Sequence, residues 1–495
     1  MQTQKSRSGR QRSQLRSSLM AAAVCTAAAA IPLTHVDARQ MPSPAVYAIQ
    51  NAKIVTADAT IDTGNVVMRD GIIESVGASA PVPADAVVID GTNLTVYPGL
   101  IDMTNTAAVE MPAPPSPNTP GQSAAEGRGG ARGRGGNAGP TPTWADADRA
   151  KREALLNPDF DAASHVKLEG ADMQRVAAAG ITTVLAVPSS GLFRGTSALV
   201  DVVAPPERDD VSRVAGYRRG EVVIASPVAE HVTFAARNGG PGYPQALLGD
   251  IAFVRQAFYD ARWQKAARTW AAAHTSQPRP DFEPALDALV PALDRRMPVS
   301  FEAGEFREIL RALAMAKEFN LDPIITGGIE ADQAAADLKA ANAKVILTLA
   351  APEQGGRGGR GNVPPSVRET HMRQNMPKVP AALEKAGVPF AFSSEGLQNP
   401  SDFVKDVARA VHEGGLTEPQ ALAALTVNAA KIAGAGDRVG ALAKGQIANV
   451  ILVEGNLFSD QARIRQVFIA GRPVDITSPP TQNGRGRRGG ARSSR

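Results

Sequence analysis

The segment that decides the fold lies near residue 100. It reads Tyr97-Pro98-Gly99-Leu100-Ile101-Asp102-Met103-Thr104-Asn105-Thr106-Ala107. A strand-like run ends at Tyr97, a Pro-Gly pair breaks it, and a short apolar run then leads to Asp102 and three small polar residues. These polar side chains are the first candidates for a functional site.

The chain on either side of this segment has two different patterns. Residues 46–97 and 437–476 contain short runs rich in Val, Ile and Ala between turn signals, which is typical of short β-strands. From about 146 to 430, strand-like and helix-like segments alternate, and one helix is predicted over 246–272. The alternation favours an α/β fold with a parallel sheet, here a (β/α)8 TIM-like barrel.

The first 38 residues have the pattern of a secretory signal peptide. A basic region precedes an Ala-rich apolar run, Leu19 to Leu33, and Val36-Asp37-Ala38 is an acceptable cleavage site. The run is shorter than the ~20 residues that a spanning helix needs, and an N-terminal membrane anchor is the alternative interpretation. No other apolar run approaches that length. We therefore predict a periplasmic or secreted protein with no membrane span after cleavage.

Three tracts rich in Gly and Arg interrupt or end the chain, at residues 112–143, 353–366 and 478–495. Their composition predicts two disordered insertions and a disordered tail. Arg-Gly repeats that bind single-stranded nucleic acid usually have aromatic stacking partners, and these tracts contain none. The signal segment and the tracts carry more than the whole formal charge of +4, so the rest of the chain is acidic. We predict no nucleic-acid partner.

Three stretches of the chain resemble motifs of the amidohydrolase superfamily. Residues 98–106 are similar to the motif Pro-Gly-x-Ile-Asp-x-His-x-His of the first barrel strand, and 423–431 resemble the helix after the last strand. Residues 440–449 resemble the return motif Gly-x-Leu-x-x-Gly-x-x-Ala-Asp, with Asn449 where Asp is usual.

The resemblance covers roughly residues 46–477 and is nearest to the imidazolonepropionase-like and prolidase-like branch. It implies a barrel over residues 98–436. It also implies a composite β-sandwich domain built from both chain ends, residues 46–97 plus 437–477.

The same resemblance implies a metal site, but the ligand positions depart from the family pattern. The family holds one or two divalent metals with two His on strand 1, a carboxylated Lys or Glu on strand 4, His on strands 5 and 6, and Asp on strand 8. Here the strand-1 positions are Thr104 and Thr106, and strand 4, predicted near Val222 to Ala225, has no Lys or Glu. The strand-5 and strand-8 positions are Glu302 and Glu395. A cysteine zinc site is excluded for the mature chain because the one cysteine lies in the signal peptide.

The polar residues that remain at the predicted strand ends are mainly carboxylates. Carboxylates suit hard cations, and two close carboxylates can also act as an acid/base pair without metal. We predict that Glu395 and Asp102 are catalytic, with Glu395 as the base, and that Glu302 and Glu395 hold a metal or orient water. The cofactor is one divalent metal or none. Predicted substrate-binding residues are Thr104, Thr106 and Ser394.

Structural roles are open for two of these carboxylates. Asp102 could cap backbone amides at the strand end, and Glu302 could serve the N-terminus of the next helix. His231, which follows the predicted fourth strand, is the one histidine expected near the barrel mouth.

Two functions follow from these observations. The first is an exported hydrolase of the amidohydrolase family that acts on non-peptide or small cyclic carbon–nitrogen bonds of a small-molecule substrate. The alternative is a catalytically silent barrel that binds a small ligand or a partner barrel. Either protein could form a homo- or hetero-oligomer with a related barrel.

Overall fold

The computed structural model describes residues 46–112, 143–168, 171–203, 222–235, 241–350 and 366–476. The predicted signal peptide, the tail at 478–495 and nearly all of the tracts at 112–143 and 353–366 lie outside these residues. No helix in the described ranges is long and apolar enough to cross a membrane.

Strands and helices alternate through the middle of the chain, and strands dominate both ends. The strands are β1 Tyr47–Val55, β2 Thr60–Arg69, β3 Ile72–Gly77, β4 Val87–Asp90, β5 Leu94–Pro98, β6 Leu100–Asn105, β7 Ile181–Ala186, β8 Phe193–Thr196, β9 Ala198–Asp201, β10 Val223–Ala225, β11 Glu230–Thr233, β12 Val299–Ala303, β13 Pro323–Gly327, β14 Lys344–Thr348, β15 Phe390–Ser393, β16 Val450–Glu454, β17 Arg463–Ile469 and β18 Arg472–Val474. The α-helices are α1 Trp144–Leu155, α2 Ala171–Ala178, α3 Leu247–Ala273, α4 Pro284–Ala288, α5 Val290–Leu293, α6 Phe306–Phe319, α7 Ala335–Ala340, α8 Val367–Asn375, α9 Val379–Ala386, α10 Asp402–His412, α11 Glu418–Leu425 and α12 Val427–Ile432.

Both ends of the chain contribute to one sheet of eight strands. Its order is β18-β17-β16-β5-β1-β2-β3, and β4 pairs with β1. The link between the two ends is the antiparallel pair β16 and β5, in which Val450 lies opposite Pro98 and Glu454 opposite Leu94. Strand pairing defines a single sheet here and does not define the second layer that a sandwich requires.

The chain leaves this sheet at the Pro-Gly pair of the opening segment. The amide of Gly99 donates to the carbonyl of Asn449 at 2.8 Å. A Cβ atom at Gly99 would lie 2.2 Å from Oγ1 and 2.6 Å from Cγ2 of the buried Thr182. Glycine is therefore required because β5 turns into β6 in contact with β7.

The amide of Asn449 explains why this residue differs from the usual Asp of the return motif. Its Nδ2 donates to Thr183 Oγ1 at 3.0 Å and to Asp201 Oδ1 at 2.7 Å, and its Oδ1 accepts from the amide of Ala470 at 2.8 Å. Asp201 is 1% exposed, so an Asp at 449 would bring two buried carboxylates together.

The central strands form two further sheets. The six-stranded sheet has the order β15-β14-β13-β12-β11-β8, with β11 to β15 parallel, and the four-stranded sheet has the order β10-β9-β7-β6, with β6 and β7 parallel. Ser197 alone separates β8 from β9, which are antiparallel to β11 and β7. One extended segment thus contributes a strand to each of the two sheets. Hydrogen bonds link the residues after β15 to β6, but β6 and β15 are not paired as neighbouring strands. Strand pairing therefore shows a mixed α/β fold and does not show a closed barrel.

Alternate residues of the central strands enter two different cores. Val299 and Phe301 of β12 join the large core that includes Phe253 and Phe258 of α3. The residues that alternate with these along the strands point to the other side of the sheets and form a second core. That core includes Ile101, Met103, Leu185, Ile324, Ile346 and Ala391.

The strand in fourth position differs from the prediction. Residues 223–225 form β10, which is antiparallel to β9, whereas the strand that pairs with β12 is β11, Glu230–Thr233. Pro227 separates the two because it has no amide hydrogen for a ladder. The predicted strand at Val222 to Ala225 is present as β10, but its placement beside β12 is wrong. Glu230 and His231 lie on the strand that does pair with β12.

Candidate functional site

Asp102 is a fully buried carboxylate at the junction of β6 and β15. Its Oδ1 accepts from the amide of Ser394 at 2.8 Å and from the amide of Thr104 at 3.2 Å, and its Oδ2 accepts from Ser394 Oγ at 2.6 Å. Burial raises the pKa of Asp102 to about 6, and the hydrogen bonds from Ser394 oppose this rise. The carboxylate joins two strand ends, which is the geometry of a group that caps backbone amides.

The two threonines that replace the motif histidines are placed differently. Thr104 is buried, and its Oγ1 donates to the carbonyl of Met103 at 2.6 Å. Thr106 follows β6 and is exposed. The structure therefore places Ser394 against Asp102, engages the Thr104 hydroxyl with the backbone of its own strand, and leaves Thr106 exposed.

Glu302 forms an ion pair with an arginine that the sequence analysis missed. Nη2 of Arg194, on β8, lies 2.5 Å from Oε2 of Glu302, on β12. The Arg194 side chain is 18% exposed and that of Glu302 is 43% exposed. A charged side chain as buried as that of Arg194 is usually paired. The signal in the sequence that could have revealed the ion pair is a single Arg between Phe193 and Gly195 in a strand-like run.

Glu395 lies beside this ion pair and is half-buried. Its carbonyl accepts from Thr348 Oγ1 at 2.7 Å, and its amide donates to Ser393 Oγ at 3.0 Å, which hold its backbone at the end of β15. Burial raises the pKa of the Glu395 carboxyl, Glu302 and Asp102 raise it further, and Arg194 lowers it. The structure thus brings three predicted site residues, Asp102, Glu302 and Glu395, within electrostatic range of one another.

His231 lies in the strand, deeper than Glu302. It pairs with Ser300 of β12 and is 5% exposed. Burial lowers the pKa of His231 to about 3, and the charge of Arg194 lowers it as well, so the ring is neutral. His231 Nε2 and Arg194 Nε are buried and have no hydrogen-bond partner among the described residues.

Glu230 is also fully buried but lies away from these groups. It pairs with Val299, at the other end of β12 from Glu302. Its Oε1 accepts from the amide of Gly195 at 3.3 Å. Burial raises the pKa of Glu230 well above its ordinary value.

The described residues do not fit the metal centre that the family resemblance implies. Among them, no three His, Cys, Asp or Glu side chains are grouped so that they could hold a metal ion. Glu302, one of the two predicted ligands, already faces a guanidinium. The guanidinium of Arg194 therefore occupies one of the carboxylates that would have to hold a metal.

Comparisons with known proteins agree with the fold. Residues 324–474 match the model of the amidohydrolase family. An amidohydrolase from Thermotoga maritima MSB8 shares 19% identity with the chain, covers 86% of this chain and 99% of its own, and has a TM-score of 0.64. A Xaa-Pro dipeptidase with bound methionine in its active site shares 20% identity, with coverage of 87% and 100% and a TM-score of 0.49. No curated protein sequence matches.

The family model thus matches 151 of the 495 residues, and the likeness to the solved amidohydrolase shows the fold of the chain. Members of this family are generally hydrolases. At 19% identity, likeness to a solved structure establishes the fold alone, so the bond that this chain acts on is a matter for proposal.

Proposed function

We propose that the protein is an exported hydrolase of small carbon–nitrogen substrates, cyclic or non-peptide, with an arginine–carboxylate site in place of a metal centre. The observation that carries this proposal is the position of Glu395. It is a half-buried carboxylate with a raised pKa, in the strand-8 position, beside the Arg194–Glu302 ion pair. Carboxyl groups whose pKa is raised toward neutrality are suited to proton transfer.

The reaction divides between two side chains. Glu395 takes a proton from a water molecule as the water oxygen bonds to the substrate carbonyl carbon. The carbonyl oxygen becomes negatively charged, and the guanidinium of Arg194 stabilises that charge with N–H groups that Glu302 does not occupy. The carbon–nitrogen bond then breaks as Glu395 returns the proton to the leaving nitrogen.

A second candidate is a catalytically silent protein that binds a small ligand at the same place or a partner barrel. The hydrogen bonds of Asp102 favour it, because both carboxylate oxygens already serve Ser394 and Thr104. In that case Glu395 would contribute to binding without proton transfer.

Turnover by the purified protein distinguishes these candidates. The substrates are a panel of hydantoins, lactams and dipeptides, measured with and without a chelator. A hydrolase of the proposed kind turns over at least one cyclic or non-peptide member, keeps its rate in chelator, and loses at least about 100-fold on Glu395→Gln. Glu305→Gln is the matched control, because Glu305 pairs with Arg368 outside this group. A rate abolished by chelator would overturn the metal-free mechanism, and no turnover at all would favour the silent protein.

The pH dependence of the rate tests the assignment of the base. The rate falls in acid as Glu395 becomes protonated. Glu302→Gln should move this acid limb to lower pH, because Glu302 raises the pKa of Glu395, and Arg194→Met should move it to higher pH. Shifts in the same direction for both variants would contradict the assignment.

We also propose the finer architecture and location that the sequence predicts. In this proposal β6 and β15 close a barrel over residues 98–436, the shared sheet belongs to a composite sandwich, and the signal peptide directs the protein to the periplasm or outside the cell. N-terminal sequencing of protein recovered from the producing cell tests the last point, since an intact residue 1 would contradict cleavage.

A further inference from the structure

The long helix α3 has apolar residues on two opposite faces. One face is buried in the large core and includes Phe253, Ala257, Phe258 and Ala261. The opposite face is exposed along its length. We call six of its residues the α3 stripe: Ala252, Arg255, Tyr259, Trp263, Ala266 and Trp270.

Aromatic side chains make this exposed face unusual. Trp263 is 66% exposed, Trp270 52% and Tyr259 40%. Tryptophan is highly buried on average in folded proteins. An ordered helix that exposes three large aromatic rings along one side has the composition of a contact surface, since aromatic residues and Arg are enriched at interfaces.

The spacing of the α3 stripe is that of a helix that packs against another helix. Successive members are separated by three, four, four, three and four residues. Three- and four-residue steps keep side chains on one face of a helix, and the two consecutive four-residue steps make an eleven-residue repeat from Arg255 to Ala266. In such a seam each side chain can enter a gap between side chains of a facing helix. We propose that the partner is the α3 stripe of a second copy of this chain, in antiparallel orientation about a two-fold axis between Arg262 and Trp263.

The stripe is complementary to itself in this orientation. Arg255 of one copy lies opposite Trp270 of the other, so a guanidinium meets an aromatic face. Tyr259 lies opposite Ala266, which pairs a large side chain with a small one. In parallel orientation Arg255 would face Arg255 of the other copy. Charge therefore favours the antiparallel dimer.

Neighbouring residues hold the stripe in place before any contact is made. Glu318 of α6 accepts from Arg255 Nε at 3.0 Å and from Tyr259 Oη at 2.9 Å. The ring of Trp270 stacks on His274 with 4.3 Å between centroids. Side chains that are ordered beforehand lose less entropy on association.

The length of α3 is sufficient for a stable pair. Its 27 residues span about 40 Å. In the proposed register residues 252–273 of the two copies overlap, over about 33 Å. A contact about 15 Å wide along that overlap buries about 500 Å² per copy, or about 1,000 Å² in total, about the least area expected of a specific interface. The nearby exposed ring of Phe282, held beneath Arg268 at 5.0 Å, adds to this area.

The test is the oligomeric state of the full chain by sedimentation velocity from about 0.1 to 50 µM. We expect a dimer whose dissociation constant rises at least tenfold in Trp263→Ala/Trp270→Ala. Trp144→Ala is the control, because Trp144 is 76% exposed but lies on α1. A wild-type monomer throughout this range would overturn the proposal, and so would a dimer that both variants leave unchanged.

Disulfide cross-linking tests the antiparallel register. In a Cys25→Ser background, Tyr259→Cys protein is mixed with Ala266→Cys protein under mild oxidation. The proposed register gives a cross-linked dimer in the mixture and none with either protein alone. Cross-linking of Ala266→Cys with itself would indicate the parallel arrangement and overturn the register. If the mixture does not cross-link although the proteins still dimerise, the dimer contact does not involve the α3 stripe in this register and the proposal is overturned.

Discussion

Replacing Asp102 by Asn should change how the stability of the protein depends on pH. The amide has the shape of the carboxyl group, and its Oδ1 can still accept from the amides of Ser394 and Thr104. It cannot ionise. The wild-type protein must hold a charge in a fully buried site above the pKa of Asp102, whereas Asp102→Asn has no such charge.

The size of the effect follows from the shift in pKa. The pKa of Asp102 is about 6 in the folded protein, against 3.8 for the ordinary group. Between these values the folded state binds a proton that the unfolded state does not, so stability falls as pH rises. The stabilisation that the folded state gains from the proton on Asp102 is fully present below about pH 3.8 and is lost as the pH rises through 6. A shift of about two units corresponds to about 3 kcal/mol, of which about 2 kcal/mol appears between pH 7.5 and 4.5.

The assay is urea unfolding of wild type and Asp102→Asn at a series of pH values between 7.5 and 4.5. The quantity of interest is the difference in free energy of unfolding between the two proteins, because the titration of other groups cancels in it. We expect the wild type to gain about 2 kcal/mol over the variant on acidification.

Asp90→Asn is the control, since Asp90 is exposed and hydrogen bonds from Thr92 lower its pKa. The wild type should not gain free energy of unfolding over Asp90→Asn as the pH falls. A raised pKa of Asp102 is refuted if the difference in free energy of unfolding between wild type and Asp102→Asn stays constant between pH 7.5 and 4.5. It is also refuted if acid stabilises the variant more than the wild type.

Two further predictions concern the packing around the opening segment. Asn449→Asp, which restores the usual motif residue, should lower the free energy of unfolding at neutral pH by about 2 kcal/mol or more, because the new carboxylate faces buried Asp201; urea unfolding with no loss would contradict this. Gly99→Ala should cost about 1–3 kcal/mol through overlap with Thr182. Combining it with Thr182→Ala should recover part of that loss, and strict additivity of the two changes would rule out direct contact.

Patterns within short stretches of sequence correctly predicted secondary-structure elements that are determined by residues close together in the chain. The helix predicted over 246–272 is α3, Leu247–Ala273, because this run is long, contains no proline and is rich in Ala, a strong helix former. The Pro-Gly pair correctly marked a break between two strands, β5 and β6. The fourth strand was misplaced because β11 is only four residues long and follows closely on a proline, which leaves too little periodicity to identify it.

The candidate site was harder to predict because its contacts join distant parts of the chain. Arg194 and Glu302 are 108 residues apart, and Asp102 and Ser394 are 292 apart. Residue type and predicted strand ends pointed to Asp102, Glu302 and Glu395. They could not reveal that one carboxylate faces a guanidinium or that another binds backbone amides, because both facts depend on which strand ends meet.

The pairing of β5 with β16 has a consequence for how this protein is made. Pro98 and Val450 lie about 350 residues apart, so the ribosome must release nearly the whole chain before the shared sheet can form. Until then β5 has an open edge that can pair with a strand of another molecule. We therefore expect the nascent protein to depend on a holding chaperone, and truncation before residue 450 to yield aggregates where removal of residues 478–495 does not.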